Sequence, residues 1–146
     1  MHAGDVFEAA LRVGPADSAK ALALLPGEDF PEVFATSRMI ALMELAAAKG
    51  MRPLLGPGQL SVGVGVDVRH LAATPVGIEV RAVATFLGME GKLYRFRVQA
   101  FDRGGLIGEG EHTRAVVVTD RLVNGAHARN GSVGGERSAW PEGSGA

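Results

Sequence analysis

A chain of 146 residues that is 47% hydrophobic is long enough to bury one core and too apolar to be disordered over most of its length. Fifteen Lys and Arg against sixteen Asp and Glu leave a formal net charge of −1, which builds in no broad attraction to nucleic acid or an anionic membrane. With no cysteine, disulfides, Cys-based zinc sites and thiol nucleophiles are excluded.

In chain order, Met1 to Leu11 lacks the basic start and apolar run of a signal peptide. Val6 to Val13 reads as a first strand, closed by Gly14-Pro15. Asp17 or Ser18 then caps a short helical piece over Lys20 to Leu25, ended by Pro26-Gly27. A long helical segment follows from Glu32 to Arg52, where Pro53 stops it. Its most apolar part, Met39 to Ala48, contains Glu44 and is far too short to span a bilayer. The expectation is a soluble, cytoplasmic domain.

Strand patterns fill the next sixty residues. Val62, Val64, Val66 and Val68 alternate with Ser61, Gly63, Gly65 and Asp67, a period of two. After a break at Ala73 to Gly77 the alternation resumes over Ile78 to Phe86. Hairpin turns at Gly88 to Gly91 and Asp102 to Gly105 bracket a strand over Tyr94 to Ala100, and a last strand covers Leu106 to Asp120. One strand, one long helix and four strands on short connections predict an α+β fold, an antiparallel sheet with its single helix on one face. The boundaries expected are a domain over 1–123 and, from Asn124, a flexible Gly/Ser-rich tail over 124–146.

Glu44 is the most informative residue. On a helical wheel at about 100° per residue, Arg38, Lys49 and Arg52 gather within roughly 60° as a solvent stripe. Glu44 lies about 80–140° from each of them, on the apolar side. A carboxylate there is hydrogen-bonded, paired with a cation or protonated. The same conditions describe a boundary glutamate, a buried ion pair, or a tuned general base or nucleophile. His70 ends the Val62 to Val68 alternation in phase with it. Such a residue is ordinarily a satisfied core or edge histidine and otherwise a site residue. Thr36, near the helix start, reads as a cap, a filler or a hydroxyl in a site. Arg114 reads as a surface residue or ion-pair donor. Gly63-x-Gly65 inside a strand marks close approach by another element or a ligand. Arg69, Arg81, Lys92, Arg95 and Arg97 read as a solvated face. The four histidines have no metal-ligand spacing, and neither a nucleophile elbow nor a phosphate loop is present.

Three stretches together carry a resemblance. Phe30-Pro31-Glu32-Val33-Phe34-Ala35-Thr36 with Leu42-Met43-Glu44, then Val68-Arg69-His70-Leu71-Ala72-Ala73-Thr74-Pro75, then His112-Thr113-Arg114-Ala115-Val116, resemble the motifs of the fluoroacetyl-CoA thioesterase family. The likeness covers roughly Phe30 to Thr119. It implies a hotdog fold, in which a five-stranded antiparallel sheet wraps one long helix. It also implies a homodimer or dimer of dimers with sites at the interface, and hydrolysis of a small or medium acyl-CoA without metal or organic cofactor. Position by position, Thr36, Glu44 and His70 match the family's catalytic set. Gly63 and Arg114 match residues lining the site, and Phe30 an aromatic gate. The chain departs from the pattern at Gly27, in place of a second lid aromatic, and at Leu45, in place of a tryptophan. A hotdog dimer that binds acyl-CoA without turnover and a hotdog enoyl-thioester hydratase or dehydratase are the rival expectations. On one straight helix Thr36 and Glu44 are about 12 Å apart. Either the helix begins after Thr36, or the working set draws on two chains.

Overall fold

The computed structural model describes residues 1–131. Five strands, β1 (Val6–Arg12), β2 (Gln59–His70), β3 (Glu79–Glu90), β4 (Leu93–Asp102) and β5 (Gly105–Val118), form one sheet in the order β1-β3-β4-β5-β2. Every neighbouring pair is antiparallel. Helix α1 (Thr36–Met51) packs on the inner face, and α2 (Thr119–Asn130) follows β5. This is the wrapped-helix α+β arrangement that the hydrophobic periods predict. β3 keeps strict alternation: Val80, Ala82, Ala84 and Phe86 are buried and Glu79 and Arg81 exposed.

The helix begins four residues later than its sequence pattern suggests. Val33 bridges Pro75 and Phe34 bridges Ser18. The Phe34 N–H donates to Thr74 O at 2.8 Å and the Ala35 N–H to Asp17 O at 2.9 Å. With its amides claimed by other segments, 32–35 stays extended, and Ala35 enters the helix with β-type backbone. The expected helix over Lys20 to Leu25 shrinks to a single 3-10 turn at Lys20–Leu22. Ser18 Oγ accepts from the Ala21 N–H at 3.2 Å, while Asp17 Oδ2 accepts from the Gly14 N–H. The expected boundary at Asn124 falls inside α2, and residues 132–146 of the expected tail lie outside the described residues.

The valine-rich strand departs from simple alternation. The β2–β5 register runs Gly63 opposite Arg114, then Gly65 opposite Thr113, which leaves Val64 as the extra residue of a β-bulge. Paired residues share a face, so the bulge exchanges the faces of β2. Ser61 and Gly63 face inward before it, and Val66, Val68 and His70 after it. Val62 therefore points the opposite way from the histidine whose phase it predicted.

Met39, Leu42, Met43, Ala46, Ala47 and Met51 of α1 meet Val80, Ala82, Ala84, Phe86, Phe96, Val98 and Ala100 of the sheet, all buried. Each large side chain so placed contributes about 1.5–3 kcal/mol relative to exposure. Small residues set how closely the layers approach. A Cβ on Gly108 would lie 2.5 Å from Met39 Sδ, and one on Gly110 would overlap the Asp67 carbonyl of β2. No described helix is long and apolar enough to cross a membrane.

The Gly110 clash is against backbone, which cannot swing aside. Gly110→Ala is expected to lower unfolding free energy by about 3 kcal/mol in urea titrations. Gly125→Ala, in α2 with nothing within 4 Å of its new Cβ, should be neutral or slightly stabilising.

Candidate active site

The sequence-predicted residues assemble into two groups. Thr36, the first residue of α1, and His70, the last of β2, meet with Oγ1 and Nδ1 2.8 Å apart. They sit on a cleft of about 340 Å³, lined also by Pro31, Val33, Phe34, Leu71 and Ala72. Burial lowers the His70 pKa below its ordinary 6.5, against a smaller opposing pull from the Ala72 backbone. The ring is therefore neutral at neutral pH and able to take a proton. His70 Nε2 is buried and makes no hydrogen bond of good geometry. The ring consequently addresses the cleft through Nδ1 and the threonine hydroxyl.

The start of α1 stands beside this cleft through Thr36. Arg38 and Met39 N–H bond back to Ala35 O. The Thr36 and Ser37 N–H groups come too early in the helix for an intrahelical acceptor, and they stand at its positive end.

Glu44 lies at the edge of the buried stripe of α1, its side chain 40% exposed. Of the three states open to a carboxylate there, the structure shows pairing with a cation. Arg114 Nη1 donates to Glu44 Oε2 at 3.0 Å. The arginine is 6% exposed, so its charge is offset within the fold. Nε donates to Ser61 Oγ at 3.1 Å and Nη2 to the Ser61 carbonyl at 3.0 Å. Gly63 lies directly opposite Arg114, and a Cβ there would sit 2.5 Å from Glu44 Oε2. The close approach read from Gly63-x-Gly65 is this carboxylate.

A member of this group to which the sequence reading assigns no role, although it opens the third family-like stretch, is His112. It is 2% exposed, two residues before Arg114 on β5 and hence on the same face. Its Nδ1 lies 2.8 Å from Gly65 O and its Nε2 3.2 Å from Arg114 Nη1. Burial is the largest influence on its pKa and lowers it. The Gly65 carbonyl raises it, Arg114 lowers it further and Glu44 raises it, with a net downward result. The available signal was the two-residue spacing from Arg114 in a strand.

Phe30 lies in the loop before Pro31, 42% exposed, and does not line the Thr36–His70 cleft. Leu45 is 60% exposed beside Glu44. Two of the strand arginines are held by outer-face carboxylates, Arg81 by Glu8 at 2.8 Å and Arg95 by Glu111 at 3.2 Å. Among the described residues no group of three or more His, Asp or Glu is arranged to hold a metal.

Thr36 and Glu44 do share α1, eight residues apart. The alternative of a helix starting after Thr36 is thereby removed, and one chain carries both groups about 12 Å apart along the axis.

The sequence profile of fluoroacetyl-CoA-specific thioesterases matches residues 13–120. The chain belongs to this family. Over 94 residues it is 46% identical to the fluoroacetyl-CoA thioesterase of Streptantibioticus cattleyicolor, covering 64% of this chain and 68% of that protein. The solved structure of the fluoroacetyl-CoA thioesterase FlK superposes with a TM-score of 0.82 at 37% identity, over 90% of this chain and 98% of that one. A hot-dog-like protein from Thermanaerovibrio acidaminovorans gives 0.75 at 25% identity, over 89% and 93%. The fold of this family member is the hotdog, and the matched span holds both residue groups.

The two lowered histidines give a stability signature. Below about pH 6.5 the unfolded chain binds protons that folded His70 and His112 do not. Stability is then full above 6.5 and falls as pH drops toward the lowered values. Urea midpoints are expected to decrease between about pH 7.5 and 5.5, by less in His112→Gln.

Proposed function

We propose that the chain hydrolyses small or medium acyl-CoA thioesters as a homodimer, each site joining Thr36 and His70 of one protomer to Glu44 of its partner. The observation that carries this reading is the separation of the two groups along α1, with the Glu44 side chain 40% exposed at a surface that the described residues leave uncovered. Beside the carboxylate stand exposed Leu45, and on the open edge strand β2 exposed Leu60, Val64 and Val66. An apolar edge strand of this kind is a template for pairing with a second copy. An isologous two-fold contact there would create two equal sites. Family membership supports the reaction class, and CoA esters as substrates are in keeping with the proposed action in the cytoplasm.

In this reading the thioester carbonyl lies at the start of α1. Glu44 Oε2 is engaged by Arg114, while Oε1 makes no hydrogen bond within the described chain and accepts a proton from water. The water oxygen adds to the carbonyl carbon. The Thr36 and Ser37 N–H groups receive the developing oxyanion, where the helix end favours negative charge. Thr36 Oγ1, held by His70, fixes the acyl group in the cleft. Collapse breaks the carbon–sulfur bond, and the proton taken from water returns to the CoA thiolate through neutral His70. The products are a carboxylic acid and free CoA thiol. Phe30 and Gly63 complete the reading, Phe30 as a mobile cover of the acyl group and Gly63 as the clearance for the carboxylate.

Thiol release across a panel of acyl-CoAs tests the reaction, with Glu44→Gln and His70→Ala each expected to lower kcat by about 10²–10⁴. Saturable CoA-ester binding without thiol release would instead leave a binding protein. An absorbance change with a crotonyl-type ester would leave a hydratase. The shared site has its own test. Equimolar Glu44→Gln and His70→Ala chains, refolded together, should recover about a quarter of wild-type activity, because half the dimers hold one intact site of two. No recovery from a mixture shown to contain mixed dimers would place each site within one chain.

A further inference from the structure

We infer that His112 is a positioning residue for the reaction, holding the Arg114 guanidinium so that Glu44 keeps its orientation at the interface. The inference rests on the reading that Glu44 reacts. Proton positions follow from the partners. The Gly65 carbonyl can only accept, so Nδ1 at 2.8 Å carries the hydrogen. Arg114 Nη1 can only donate, so Nε2 at 3.2 Å offers its lone pair. Both partners therefore demand the same neutral tautomer.

Nη1 has two hydrogens, one directed to Glu44 Oε2 and the other to His112 Nε2. The lone pair of the histidine thus fixes the rotation that aims the first hydrogen at the carboxylate. Ser61 alone, bonded to Nε and Nη2, holds the far edge of the guanidinium and leaves Nη1 without an inner support. A second link runs through the backbone. Gly65 is the first paired residue after the bulge, and Gly63, on its other side, borders Glu44 Oε2. His112 Cε1 would lie 3.3 Å from a Cβ on Gly63, so the ring also forms the floor beneath the carboxylate.

Two conservative variants separate these links. His112→Gln keeps an acceptor near the position of Nε2, and His112→Asn keeps a donor near Nδ1. If the histidine acts through Arg114, His112→Phe and His112→Asn should lower kcat about tenfold or more with KM little changed, and His112→Gln should stay within about threefold of wild type. Rescue by Asn and not by Gln would overturn the inference and reduce the residue to an anchor of the bulge. Wild-type kcat in all three variants would overturn it as well. Glu44→Gln is measured alongside. If that variant keeps wild-type turnover, the proposed reaction of Glu44 fails, whatever the His112 variants do. If it is inactive while His112→Phe is not, only the positioning role fails. Imidazole ¹⁵N spectra of the wild-type protein need no folded variant. A protonated Nδ1 with a bare Nε2 is the expected signature, and a proton on Nε2 would overturn the inference.

Discussion

A nearly buried guanidinium is the constraint around which this molecule is organised. A cation removed from water must be matched by acceptors or it costs several kcal/mol. Arg114 finds its acceptors on three elements: a carboxylate on α1, a hydroxyl and a carbonyl on β2, and a ring nitrogen on its own strand. Satisfying all of them fixes how far α1 stands from the sheet. It fixes the register of β2 on β5, and it requires glycine at position 63. Replacing the arginine by an apolar residue would leave Glu44 and the Ser61 carbonyl seeking partners in a space made for a cation.

The larger features were legible because they rest on period. The two-residue repeat of β3 and the wheel asymmetry of α1 gave the sheet and the helix, and the wheel marked Glu44 as misplaced for a surface charge. What escaped depends on contacts distant in sequence. The α1 start could not be placed because the amides of Phe34 and Ala35 are claimed by Thr74 and Asp17, segments far from the local pattern. Asn124 looked like a boundary by composition, yet the chain stays helical to Asn130. His112 stands in the third family-like stretch, but its partnership with Arg114 leaves no mark there beyond the two-residue phase of a strand.

The family match and the geometry answer different questions. The match gives the reaction class. The geometry shows that the threonine–histidine pair and the carboxylate occupy separate ends of half a helix, each supported by its own set of neighbours. Such a division makes the support of each half independent. Burial tunes the histidine, and ion pairing orients the carboxylate. The departures at Gly27 and Leu45 touch neither support. Gly27 has no neighbour within 4 Å of a would-be Cβ, and Leu45 points out beside Glu44. Positions 27 and 45 are therefore free to vary without disturbing the support of either group.

The extra residue at Val64 has a consequence of its own. A strand is read by its partners in frame, every second residue to one side, and this one is read in two frames. Upstream of Val64 the inward positions are odd-numbered and bring Ser61 and Gly63 to the guanidinium. Downstream they are even-numbered and bring His70 to Thr36. Taking Val64 into the ladder as a regularly paired residue, opposite Thr113, would not alter composition or hydropathy at all. It would nevertheless act on the strand as a frameshift acts on a message, turning Asp67 and Arg69 toward the core and His70 toward solvent.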